Sequence, residues 1–275
     1  MYLQHIREIK AIDMHAHLGT ANPNAAMQQA GTLFGAAHYM LENMKRANIA
    51  LSVASAFEAL MPCGAADAVQ GNKIMLERVE KQNQNVYMLA VVNPLQEESF
   101  ALAAELLQHP KCLGIKLHPT QHRYSIKDYG TRIYTFAAKQ GALLVTHSGE
   151  ENCMPEDFCF YANRFPEVNT VVAHLGYCWD GRTDHQMIAI EENIHGNLYT
   201  DTSSFKALMC DLLEQAVARI GSQKILFGTD SGIYFSPAHR ARVDSAYIDD
   251  ADKENILYRN ALKLLCKLKP IYETI

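Results

Sequence analysis

Eight short apolar runs recur along this chain, near residues 9–14, 50–57, 86–92, 112–117, 142–146, 169–173, 198–202 and 224–229. They are mostly β-branched or aromatic, as strands buried on both faces should be. The segments between them carry apolar residues at helical spacing. Met40, Met44 and Ala47 share one face, Phe100, Ala103 and Leu107 another, and Leu257, Ala261, Leu264 and Leu268 a third. Gly141 fits the C-cap of one such helix, just before a strand. Strands that alternate with helices in this way predict parallel pairing through helical crossovers. Eight units in 275 residues predict an α/β fold, a single-domain (β/α)8 TIM barrel spanning residues 1–275. An open doubly wound sheet is the competing architecture, but the glycine-rich turn that would make it a dinucleotide site is missing after the first run.

Charge and composition narrow the function. A formal charge of -5 leaves no basic stripe to follow a phosphate backbone, so no nucleic-acid partner is expected. The start of the chain is charged too early for a signal-peptide core and no apolar run reaches membrane-span length, so a soluble cytoplasmic protein acting on a small molecule is expected. Seven cysteines without a C-x-x-C pair argue for reduced thiols rather than a disulfide framework or zinc ribbon.

Several runs end in residues that bind metals. Side chains two apart in a strand point the same way, so His15 and His17 both face the barrel axis at the end of the first strand. His147 follows the fifth strand and Asp230 the eighth, which completes a three-nitrogen, one-oxygen set suited to zinc and acceptable to manganese or iron. His174, after the sixth strand, is either a further ligand or a hydrogen-bond donor to substrate, the donor role being preferred. Metal-bound water becomes a nucleophile near neutral pH, and Asp230 is the candidate general base.

Six motifs carry a family resemblance: Ile12-Asp13-Met14-His15-Ala16-His17, Gly114-Ile115-Lys116-Leu117-His118-Pro119, Thr146-His147-Ser148-Gly149, Ala173-His174-Leu175-Gly176, Phe227-Gly228-Thr229-Asp230, and the closing stretch from Glu254 to Ala261. In order and spacing the chain resembles the amidohydrolase superfamily, specifically the amidohydrolase-related group that includes aminocarboxymuconate semialdehyde decarboxylase. The resemblance implies a TIM barrel with a metal on His15, His17, His147 and Asp230, and with His174 at the reaction centre. Some amidohydrolases bridge two metals with a carboxylated lysine from the fourth strand. In that variant Lys116 would bridge and His174 would bind the second ion; one ion is the expectation.

Asp13 is read as a structural carboxylate that steadies the ligands. His118, Arg123, Tyr124, Trp179 and Arg182 lie on loops at the active face and are candidate substrate contacts, Arg123 as a carboxylate clamp. Tyr234 and Phe235 are candidate walls, and Cys178 a buried bystander. The remaining histidines are mostly assigned to the surface. The stretch from Gly19 to Gly35 is the longest candidate lid. No G-x-S-x-G elbow or phosphate loop is present. The leading expectation is a metal-dependent hydrolase of a small amide, cyclic amide, ester or lactone. The rivals are a metal-dependent decarboxylase or hydratase of an unsaturated or aromatic acid, and a catalytically silent ligand-binding barrel. A homodimer is plausible for such a barrel, without an interface legible in the chain.

Overall fold

A strand buried on both faces must be covered by helices outside and by side chains inside, and the chain satisfies both demands by curling its eight strands into a barrel. The computed structural model describes residues 2–19, 37–81 and 85–268; the candidate lid falls almost entirely outside them. The strands are β1 (Ala11–Leu18), β2 (Ile49–Ala56), β3 (Val86–Val91), β4 (Cys112–Leu117), β5 (Leu143–Thr146), β6 (Thr170–Val172), β7 (Leu198–Asp201) and β8 (Ile225–Leu226). Every neighbouring pair is parallel and the order is β1 through β8. Helices fill the connections, and Gly141 caps Ile126–Gln140 at φ 61°. This is the single-domain TIM barrel that the alternation predicts.

Two layers of apolar packing hold it. Ile12, Met14, Leu51, Val53, Leu89 and Val145 belong to an inner cluster, while the outer layer joins strands to helices through residues such as Met40, Met75, Ile133, Phe158 and Met187. Each fully buried Leu, Ile or Met contributes about 2 kcal/mol of transfer free energy.

The barrel closes by a route the sequence pattern does not show. β8 is shorter than its apolar run, because after Leu226 the chain stops pairing with β7 and turns to β1. Met14 N donates to Phe227 O at 2.9 Å, Thr229 N and Asp230 N both donate to His15 O at 3.2 and 2.8 Å, and His17 N donates to Ser231 O at 2.7 Å. The closing helix is interrupted by a π-helical turn at Asn255–Arg259, and Ile256 O there accepts Phe227 N at 2.9 Å. Asn260 Nδ2 anchors the same helix to Ser222 O and Ile225 O, both at 2.8 Å.

Arg240 performs a similar service at the opposite end of the barrel. It is buried, pairs with Asp244 at 2.7 Å, and donates to the carbonyls of Ile6, Ile9 and Ala47 at 2.6, 2.8 and 3.2 Å. Replacing it with methionine keeps the bulk but orphans these acceptors. Urea denaturation of Arg240→Met is expected to show a loss of about 3 kcal/mol, since truncating one partner of a buried charge network costs about 3–5 kcal/mol.

Candidate functional site

Each strand that contributes to the mouth of the barrel ends in a residue that would be costly to bury alone. His15 and His17 sit within β1 with their rings 5.3 Å apart, and Asp230 lies four residues beyond β8. Asp230 and His174 hold positive φ, 51° and 73°, a region that residues other than glycine rarely adopt. Such strain is characteristic of functional positions.

His15, His17 and Asp230 bring one ligand atom each within 4.8 Å of one another. His17 Nε2 is 3.0 Å and His15 Nε2 3.7 Å from Asp230 Oδ1. That oxygen is buried and accepts no hydrogen bond of acceptable geometry, even though His17 is so close. Both histidines are also turned the right way. His15 Nδ1 faces Asp201 Oδ2 at 2.9 Å and His17 Nδ1 faces Ser55 Oγ at 2.9 Å. A carboxylate can only accept, so Asp201 fixes the proton of His15 on Nδ1 and leaves the Nε2 lone pair directed at the cluster. Lys116 Nζ lies 2.7 Å from that Nε2, as an acceptor nitrogen requires. An orphaned carboxylate oxygen and two oriented imidazoles form a donor set that could hold a divalent metal.

The electrostatics agree. Burial lowers the pKa of His17 to about 4 and that of His174 to about 3, and takes His118 and His147 well below the ordinary histidine value. Burial also brings Lys116 down to about 8. For Asp230 burial works upward, but the closeness of His17 and the fields of His15 and His174 hold it far below a normal carboxylate. Asp201 is likewise held down against its burial, by His15 first and then by His174. Asp13 goes the other way, raised by burial to about 7. It ties the ends of the barrel together by accepting from His15 N at 3.2 Å, Thr229 N at 3.1 Å and Thr229 Oγ1 at 2.6 Å.

The cluster forms the floor of a cavity of about 340 Å³, which also takes in Lys116, His118, His147, His174 and Tyr234. His147 is on its wall, stacked on His118 at 4.1 Å with Nδ1 3.0 Å from His174 Nε2, and lies outside the three-residue cluster. A second group, His15, His174 and Asp201, adjoins the first through His15.

The other candidate contacts fall elsewhere. Arg123 caps a short helix at φ 57° and is exposed, Tyr124 is buried beside it, Trp179 is 57% exposed, and Arg182 pairs with Asp184. None of these four, nor Phe235, is among the described residues that line the cavity. Three histidines assigned to the surface are buried: His122 bonds to Ala59 O at 2.9 Å, His239 to Thr202 O at 2.8 Å, and His185 bridges two carboxylates. Helix spacing alone does not reveal that a polar ring has a buried partner. Cys178 is buried, with its thiol pushed up to about 11 by burial.

Asp201 and Ser203 are the functional residues the sequence reading passed over. Asp201 ends β7, the same signal that drew attention to His147, and Ser203 Oγ sits 2.8 Å from His174 Nδ1 and 3.1 Å from His15 Nδ1.

A family model described as amidohydrolase matches residues 12–266. No curated protein matches the chain. Several solved structures share the fold. A 5-carboxyvanillate decarboxylase from Sphingomonas paucimobilis has a TM-score of 0.70 at 13% identity, covering 94% of this chain and 99% of its own. A dihydroxybenzoic acid decarboxylase from Polaromonas, with bound manganese and the inhibitor 2-nitroresorcinol, has 0.72 at 14%, covering 97% and 99%. A 4-oxalomesaconate hydratase from Rhodopseudomonas palustris has 0.63 at 15%, covering 94% and 96%. Among the described residues no helix is long and apolar enough to cross a membrane.

Two predictions follow from this geometry. Elemental analysis of protein purified without chelator is expected to find about one equivalent of divalent metal per chain, abolished in the His15→Ala/His17→Ala double variant, with affinity lowered about 10–100-fold by Asp201→Ala alone. Retention of full affinity in Asp201→Ala would deny that residue its orienting role. The second concerns His185, whose Nδ1 and Nε2 lie 2.6 Å from Glu156 and 2.9 Å from Asp180. Burial pulls its pKa down, but the two carboxylates outweigh burial and hold it above the ordinary value of 6.5. Folding therefore favours the protonated ring, and the stability it adds is complete below pH 6.5 and lost as pH rises through the folded value. Thermal unfolding of His185→Gln should show its largest deficit against the parent near pH 6, shrinking by pH 9.

Proposed function

The chain belongs to the amidohydrolase family, and from that premise we propose that it is a metal-dependent hydrolase of a small amide, cyclic amide, ester or lactone. The observation that carries this reading is Asp230: a buried carboxylate, strongly held in its anionic form, with an orphaned oxygen at the cavity floor among neutral imidazoles. A buried anion at that position can hold a cation and receive the proton of a water that the cation acidifies. His15, His17 and Asp230 would hold one divalent ion, zinc before manganese or iron, with His147 as the fourth candidate ligand. When bound, that ion supplies Lewis-acid polarisation and acidifies water.

The chain's own residues do the rest. Asp230 accepts the proton of the attacking water and returns it to the leaving group. Asp201 keeps His15 in the tautomer that binds. If His147 ligates through Nε2, its Nδ1 carries the hydrogen and donates it to His174 Nε2, which lies 3.0 Å away. Asp230→Asn, with metal content unchanged, is expected to lower kcat by about 10²–10⁴, the usual worth of a general base; near-parental turnover in that variant would rule out the shuttle.

A second reading is favoured by one feature, Lys116. It is fully buried, with its ammonium 2.7 Å from His15 Nε2. Such an ammonium can seat a substrate carboxylate and return a proton to carbon once carbon dioxide has left. Decarboxylation or hydration are also the activities named for the three solved structures above. The two readings part cleanly when metal-loaded protein is offered lactones and amides beside aromatic carboxylic acids. Hydrolysis products without carbon dioxide support the first; stoichiometric carbon dioxide, or a hydrated diene acid, supports the second and sinks the first.

A further inference from the structure

The cavity lining carries charge of both signs. Lys116 is the single lysine or arginine among the described residues that line it, and it lies at the floor beside the ligand cluster. Glu150 lies in the wall, on the loop after β5. Its Oε1 accepts a hydrogen bond of 2.5 Å from the Tyr177 hydroxyl, and Tyr177 is itself a wall residue on the loop after β6. The Tyr177 ring stands 6.0 Å from the His147 ring and 6.2 Å from the His174 ring.

The pair is built into the fold. Gly149 adopts φ 98°, and a β-carbon there would lie 2.3 Å from the Tyr177 carbonyl oxygen, so only glycine lets the two loops touch. Trp179 N donates to Gly149 O at 2.7 Å, and Cys153 N donates to Glu150 O at 2.9 Å. These bonds fix the loop after β5 against the loop after β6, and they set Glu150 in place. The Tyr177 hydroxyl spends its hydrogen on Oε1. Glu150 Oε2 has no hydrogen-bond partner among the described residues, and Gln121 Oε1, also in the wall, is buried without one. The wall therefore offers two acceptors open to a donor, one buried on Gln121 and one on the half-buried Glu150, and Met61, Phe205, Ile233 and Tyr234 supply apolar surface around them.

We propose that Glu150, braced by Tyr177, is a specificity determinant that selects substrates bearing a hydrogen-bond donor, a protonated amine above all, on the part that lies against the loops after β5 and β6, and rejects a second carboxylate there. The inference rests on the preceding reading only in placing the reacting group at the floor. A carboxylate at the wall would face Glu150 as a like charge, whereas an ammonium would pair with Oε2. The match is one of sign and hydrogen-bond direction, held by the contacts between the two loops.

The test is binding, not turnover. Calorimetric titration of the purified protein with benzoate, 4-(aminomethyl)benzoate and terephthalate presents one carboxylate head with three different tails. Parental protein is expected to bind the aminomethyl compound at least about tenfold tighter than terephthalate, a modest figure for a partly solvated charge contact. Glu150→Gln, which can still accept from Tyr177, should bring the two within about threefold, and Glu150→Lys should invert the order. Tyr177→Phe removes the brace but not the charge, and should keep the preference. An unchanged ratio in both Glu150 variants, a parental preference for terephthalate, or no binding of any of the three would overturn the proposal. Equal weakening of all three probes in Glu150→Gln and Tyr177→Phe would also overturn it, by reducing Glu150 to a structural prop. Carbon dioxide release in the substrate screen with the binding ratio intact would remove the hydrolase reading alone.

Discussion

The carbonyl oxygen of His15 accepts two backbone N–H groups, from Thr229 and Asp230, and the rest of the molecule depends on that junction. It closes the barrel, because β8 has only two residues paired with β7 before the chain crosses to β1. It also sets the site, because the same two residues that meet there, His15 and Asp230, are candidate ligands. Asp13 locks the junction from below through His15 N and Thr229, with burial holding its proton more tightly than usual. Fold closure and ligand geometry are thus one structural event, and neither can relax without the other.

Burying so many polar groups is expensive, and the protein offsets the cost by sharing them. Asp201 serves His15, the His174 backbone and Ser203 at once. Its anion offsets part of the charge that Lys116 and a metal would bring to the floor. Neutral histidines avoid the desolvation penalty that protonated rings would incur. The orphaned oxygen of Asp230 is an anionic acceptor left unpaired between two imidazole nitrogens, and it singles out the floor as a place for a cation.

Much of this was legible in the chain. Strand positions followed from apolar runs with the right length and spacing, since a strand buried on both faces leaves a nearly continuous apolar signature. His15 and His17 were legible because a two-residue step keeps a side chain on one face, and Asp230 because it follows the last run. Asp201 was equally available at the end of β7 but was not drawn out, because a lone aspartate after a strand looks like a turn residue. His122, His185 and His239 show the converse limit: whether a histidine is exposed depends on partners far away in sequence, such as Ala59 and Glu156. The loop candidates Arg123, Trp179 and Arg182 were misplaced relative to the cavity because a loop's direction is decided by what it packs against.

By itself, then, the sequence determined the architecture and the residue types at the strand ends, since periodicity and strand direction are local properties that repeat along the chain. Only the tertiary structure decided which nitrogen of each histidine faces the centre, that Asp230 Oδ1 is left without a hydrogen bond, and that Glu150 and Tyr177 meet across two loops. Those features depend on contacts between residues far apart in the chain, as between His15 and Asp230 or between His15 and Ser203. A linear pattern carries no distance or angle across such a gap; the closed barrel supplies both.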